Sequence, residues 1–133
     1  MIADTSRVHT NDRVAITAAV QDYVQGWYQA DATRMERSLH PDLVKRLVRN
    51  EADGQIRMHE LDAATLVNAV RERAGSEAPA VQQQIIAILG IYAGIATVQA
   101  EMNDWVDYLH LARFEDGWKI VNAIWALKPR EVA

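Results

Sequence analysis

Asp107-Tyr108-Leu109-His110-Leu111-Ala112-Arg113-Phe114 runs through Glu115-Asp116-Gly117 into Trp118-Lys119-Ile120-Val121-Asn122-Ala123-Ile124-Trp125. Two apolar, aromatic-rich runs joined by an Asp-Gly turn signal are the pattern of a β-hairpin. Strands this apolar must be largely buried, yet each carries a polar residue that burial penalises unless it has a partner or a purpose. The hairpin therefore bears on fold and pocket together.

Working towards the N-terminus, the β-branched runs Ile85–Leu89 and Ile95–Val98 read as two more strands, with Gly90 to Gly94 as the turn between them. Gly90 and Gly94 have the GxxxG spacing of packed membrane helices, but the flanking run is too short and broken to cross a bilayer. Before them, Asp62 is placed to cap a helix through Leu66, Val67 and Val70 that stops at Gly75, with Pro79 beyond. Leu43–Arg49 and Gln55–Leu61 flank a turn at Asn50–Gly54 and predict a first hairpin.

Asn11-Asp12 is the expected cap of a long amphipathic helix with Val14, Ile16, Val20, Tyr23, Val24 and Trp27 at helical spacing. Asp31 then caps a shorter helix containing Met35 and Leu39. It ends at His40-Pro41, because the residue before a proline is pushed out of the helical region. Helices first and a meander of antiparallel strands after them define an α+β class, with the helices on one face of the sheet.

A chain of 133 residues, half hydrophobic and 24% charged, fits one globular domain spanning residues 1–133, with residues 1–10 as a flexible polar lead. The net charge of -4, with acids and bases interspersed, argues against nucleic acid and against membrane surfaces as partners. The densest basic group, Arg34, Arg37, Lys45, Arg46 and Arg49, reads as a solvated face. With 0 cysteines there are no disulfides, thiolate nucleophiles or cysteine metal sites. The first ten residues lack the basic start and apolar stretch of a signal peptide, so the simplest location is cytoplasmic.

Three passages resemble the nuclear transport factor 2-like superfamily, and within it the lumazine-binding-like branch: Tyr23-Val24-Gln25-Gly26 through Asp31 to Leu39-His40-Pro41-Asp42; Trp105-Val106-Asp107-Tyr108-Leu109-His110-Leu111; and Asp116-Gly117-Trp118-Lys119-Ile120-Val121-Asn122. In order and spacing they cover about the whole domain. The resemblance implies a cystatin-like cone, in which three helices of the N-terminal half pack on the concave face of a strongly curved, mainly antiparallel sheet. It also implies a cavity open at one end and homodimers through the outer sheet face. Enzymes, binders and adaptors all use this fold, so function has to be argued from the site.

Strand alternation groups Asp107 with Leu109 and Leu111, and Tyr108 with His110. A two-residue Asp116-Gly117 turn brings the Asp107 set onto one face with Ile120, Asn122 and Ile124, the favoured register; a three-residue loop would bring it to Val121, Ala123 and Trp125. On an apolar inner wall, Asp107 is a candidate acid/base whose pKa desolvation raises, with a structural aspartate as the alternative. His40 is a candidate partner for proton transfer, or else a histidine interacting with the last carbonyls of its helix. Tyr23, Trp27, Leu109 and Asn122 are candidate ligand contacts, although the first two also suit a core.

His59-Glu60 begins like a helical zinc motif, but Ala63 stands where the second histidine belongs, so no metal site is expected. Glycine-rich phosphate loops, nucleophile elbows and dinucleotide fingerprints are absent, and no cofactor is expected. The leading expectation is a dimeric protein binding a small apolar or aromatic molecule. A cofactor-free dehydratase, isomerase or cyclase using Asp107, or an interaction module with a filled cavity, are the alternatives.

Overall fold

Ile16, Val20, Tyr23 and Val24 recur at helical spacing along α1 (Thr10–Tyr28), and all four are buried against the sheet. Val14 falls off that stripe and is exposed. The computed structural model describes residues 10–129, so the expected polar lead lies outside the described residues except for Thr10. The helix already includes Asn11 and Asp12, which were expected to cap it. Asp12 is buried instead, accepting hydrogen bonds from Trp118 Nε1 at 3.1 Å and from the Arg113 guanidinium at 3.0 Å.

Asp31 caps α2 (Ala32–Ser38) by accepting the Arg34 backbone N–H at 3.1 Å. Asp22 of α1 ties the two helices together, taking Arg34 at 3.0 Å and Arg37 at 2.8 Å. Their backbones approach closely at Gly26, where an added Cβ would lie 2.9 Å from the Met35 nitrogen. Gly26→Ala is therefore expected to destabilise the protein. Overpacking costs about 1–3 kcal/mol, of which the better helix propensity of alanine returns about 1 kcal/mol. A lower urea midpoint with an unchanged slope is the expected result.

The chain enters β1 (Leu39–Asn50) without a break, so Leu39 and His40 belong to a strand rather than to the end of a helix. Pro41 is tolerated because the register against the neighbouring strand shifts between Leu39 and Val44, where no ladder N–H is needed. β2 (Ile56–Asp62) completes the first hairpin, and Asp62 caps α3 (Ala63–Glu72) by accepting the Thr65 N–H at 2.8 Å. β3 (Ile85–Tyr92), β4 (Ile95–Glu101), β5 (Trp105–Phe114) and β6 (Gly117–Leu127) form the meander. Gly90 lies within β3 at a register shift, leaving Ala93-Gly94 as the turn.

The six strands run in the order β2-β1-β6-β5-β4-β3 in one open sheet, antiparallel except where β1 lies parallel to β6. The three helices with this curved sheet make the α+β cone. A β-bulge splits the closing hairpin between the two registers weighed from sequence. Next to the turn Leu111 pairs with Ile120, but beyond the bulge Leu109 faces Ala123 and Asp107 faces Trp125. Glu115-Asp116 form the turn, and Gly117, at φ 114, already opens β6.

Candidate functional site

Two rows of inward-facing residues carry the floor of the cone. Lys45, Ala123, Leu109 and Val98 are cross-strand neighbours in one row, and Leu47, Trp125, Asp107 and Ala100 in the next. Leu109 is fully buried, as are Tyr23 on the overlying helix and Asp107. The alternation Leu43, Lys45, Leu47 along β1 also turns Lys45 inward, where it is 6% exposed. This corrects its assignment to a solvated basic face, since the period of a strand overrides the local density of charge.

Lys45 Nζ donates a short hydrogen bond to the Tyr23 hydroxyl, which donates to Asp107 Oδ2 at 3.1 Å. Trp105 Nε1 donates to the same oxygen at 3.1 Å. Lys45 Nζ stands 3.9 Å from Asp107 Oδ1, beyond hydrogen-bond reach, and lies 4.9 Å from the ring centres of both Tyr23 and Trp125. Among the described residues Asp107 Oδ1 and Trp125 Nε1 are buried with no hydrogen-bond partner. Native interiors leave few polar atoms in that state, which sets these two apart from ordinary packing.

Burial dominates the electrostatics. Desolvation raises the Asp107 carboxyl above its ordinary value, opposed by the Lys45 charge and the bonds from Tyr23 and Trp105. Desolvation lowers the Lys45 ammonium, opposed by Asp107. The Tyr23 phenol is raised well above its usual range by burial and by the neighbouring carboxylate, so it remains a donor. Burial thus works against the charge on each group, while each partner's charge supports the other's.

Tyr23, Trp27, Met35, Lys45, Met102 and Trp105 enclose a void of about 10 Å³ beside this cluster. That is room for roughly one water molecule. Trp27 and Trp105, edge to face at 5.5 Å, are the partly exposed walls, and the Arg73 guanidinium lies 4.2 Å over the Trp27 ring.

His40 is elsewhere. It lines a half-open groove of about 790 Å³ with Arg37, Val67, Arg71, Phe114 and Lys119, and its ring sits 4.6 Å from that of Phe114. The expected His40–Asp107 pairing is not formed, because the early start of β1 carries His40 to the hairpin tip. The groove is larger than the cone void, but its cations are engaged. Arg37 is held by Asp22, Arg71 bonds Asn68 at 2.7 Å, and Lys119 bonds the Arg37 carbonyl at 2.8 Å. Asn122 is also absent from the cone floor. The bulge turns it to the outer face, 3.2 Å from His110 and 3.4 Å from Arg46.

Of the sequence candidates, the structure brings together Tyr23, Trp27 and Asp107, with Leu109 beneath them, and adds Lys45, Trp105 and Trp125. Among the described residues no group of three His, Asp or Glu side chains is gathered as a metal centre requires, and no helix is long and apolar enough to cross a membrane.

The helix-backed cone of one open six-stranded sheet is the α+β fold of proteins described as nuclear transport factor 2-like. The chain belongs to the family described as "Putative lumazine-binding", whose model matches residues 11–126. Its fold is similar to that of a nuclear transport factor 2-like protein of unknown function from Shewanella baltica OS155, with 18% identity, a TM-score of 0.77 and coverage of 93% of this chain and 99% of that one. Another such protein of unknown function, from Methylobacillus flagellatus KT, shares 17% identity with a TM-score of 0.69, covering 93% and 98%. A cystatin-like fold protein from Burkholderia xenovorans LB400 shares 19% identity with a TM-score of 0.65, covering 92% and 96%. No curated protein matches the sequence.

Proposed function

We propose that this protein binds a small, flat, largely apolar molecule in its cone, recognising an oxygen or ring nitrogen of it through Tyr23, Lys45 and Asp107. The supporting observation is the buried Lys45–Tyr23–Asp107 chain, with one carboxylate oxygen left unpartnered beside an aromatic-walled void. A buried charge cluster is a poor way to gain stability, so its presence on an otherwise apolar wall favours a role in recognition. On this reading the void of about 10 Å³ widens when the ligand enters. Trp27 is the wall to be displaced on binding, while the unbranched Met35 and Met102 readjust around the ligand.

The filled cone also supports a second reading, an interaction module that keeps its cavity closed and works through its surface. Ile85, Leu89, Ile95, Tyr108 and Ile124 are exposed on the outer sheet face and would serve a homodimer in either case. One pair of measurements separates the readings. Titration with lumazine and related planar heterocycles should give saturable quenching of tryptophan fluorescence, because Trp105 and Trp125 adjoin the floor. Native mass spectrometry of freshly purified protein should show a retained small molecule and the subunit count. Dimers without retained mass and without quenching by any heterocycle would favour the interaction module.

A further inference from the structure

We propose that Lys45 is a carbonyl-condensing amine, forming a reversible imine with a small aldehyde or ketone in the cone, with Tyr23 and Asp107 as its proton relay. This rests on the reading of the cone as a small-molecule site and names the chemical class that the site takes.

The amine lines the void together with the phenol, and the carboxylate connects to both through the Tyr23 hydroxyl. Such an arrangement supplies each part that condensation needs. A lysine is a nucleophile only when neutral, and burial between Tyr23 and Trp125 disfavours its charge. Its proton has a short route, from Nζ to the Tyr23 oxygen and from the Tyr23 hydroxyl to Asp107 Oδ2. Once the Asp107 proton has passed back through Tyr23 to the substrate oxygen, Asp107 Oδ1, 3.9 Å from Nζ and without a hydrogen-bond partner among the described residues, is placed to accept the proton that nitrogen sheds after attack.

The Nζ lone pair attacks the carbonyl carbon to form the C–N bond, and the C=O π pair moves to oxygen, which takes a proton from Tyr23 while Tyr23 takes one from the Asp107 carboxylic acid, leaving Asp107 as the carboxylate. Nitrogen gives a proton to Asp107, yielding the neutral carbinolamine. Protonation of its hydroxyl by the Asp107 carboxylic acid releases water, and the nitrogen lone pair closes the C=N bond, with the remaining N–H proton returning through the relay. Amine and carbonyl compound become imine and water, with no oxidant or reductant required. Water-excluding aromatic walls favour the condensed form over hydrolysis.

The chain has only three lysines, Lys45, Lys119 and Lys128, which makes the test direct. Native protein is incubated near neutral pH with benzaldehyde and sodium cyanoborohydride, which reduces an imine to a stable benzylamine, and is then digested for peptide mapping by mass spectrometry. The expected result is a benzyl mass shift on Lys45 ahead of Lys119 and Lys128, with the preference abolished in urea. Benzyl alcohol matches benzaldehyde in size but cannot form an imine, so its quenching of tryptophan fluorescence reports on the pocket alone. Saturable quenching by the alcohol with labelling confined to Lys119 and Lys128 overturns the imine and leaves the binding reading standing. No quenching and no Lys45 adduct overturns both. In Tyr23→Phe, Lys45 labelling should slow by more than any loss of benzyl alcohol affinity accounts for; labelling that falls only in step with that affinity would remove Tyr23 from the relay.

Discussion

Asp107→Leu is expected to lose about 3–5 kcal/mol of stability, the usual cost of removing one partner of a buried ion pair. Lys45→Met should lose a similar amount, and the two variants should respond oppositely to pH. With Asp107 gone, nothing opposes the desolvation that already depresses the Lys45 ammonium below its ordinary value of 10.5. The stability linked to a depressed group is present above that ordinary value and is lost as pH falls through the folded one, so Asp107→Leu should weaken from alkaline towards neutral pH. With Lys45 gone, Asp107 rises further above its ordinary 3.8. The stability linked to a raised group is complete below 3.8 and is lost as pH rises through the folded value, so Lys45→Met should be most stable in acid. The double variant, with two apolar side chains in the same space, should recover most of the loss and show neither slope. Urea unfolding across a pH series measures all of this. Parallel slopes in the two single variants would show that Lys45 and Asp107 are not energetically coupled.

The second large effect belongs to Leu109→Ala, expected to cost about 2–5 kcal/mol through lost burial and the cavity left behind. Leu109 is 0% exposed and sits between Ala123 and Val98 in the row that also contains Lys45. It does not line the void beside Tyr23, so the loss should appear as a lower denaturation midpoint with the same slope, while affinity for a cone ligand stays near wild type. A selective fall in affinity in a protein of unchanged stability would place Leu109 at the ligand instead.

The contrast between Lys45 and Asn122 shows what sequence can and cannot disclose about such a site. Alternation grouped Asp107 with Leu109 and Leu111, and these are the buried residues of β5. The same rule applied to Leu43, Lys45 and Leu47 was enough to find the buried lysine, but its nearness to Arg34, Arg37, Arg46 and Arg49 suggested a charged surface. Asn122 was different. Its face depends on one extra residue in β6, and a bulge that leaves the apolar pattern on both sides intact has no separate signature in the residues. His40 was misplaced for a related reason, because proline ends a helix and also suits a strand entry where a ladder bond is missing. Element order, helix caps at Asp31 and Asp62, and the closing hairpin were legible because each rests on a local signal.

The parallel seam between β1 and β6 makes the two halves of the chain mutually dependent. Tyr23 and Lys45 come from the first half, Asp107 and Trp125 from the second, and the Tyr23–Asp107 bond joins residues 84 positions apart. During synthesis the helices and first hairpin emerge with no larger sheet to close against, since the strand that joins β1 to the meander is the last of the six. Contacts of such long sequence separation form late, after the loop entropy between them has been overcome. The polar floor of the cone is therefore the keystone of folding, set only when β6 has joined β1 to β5.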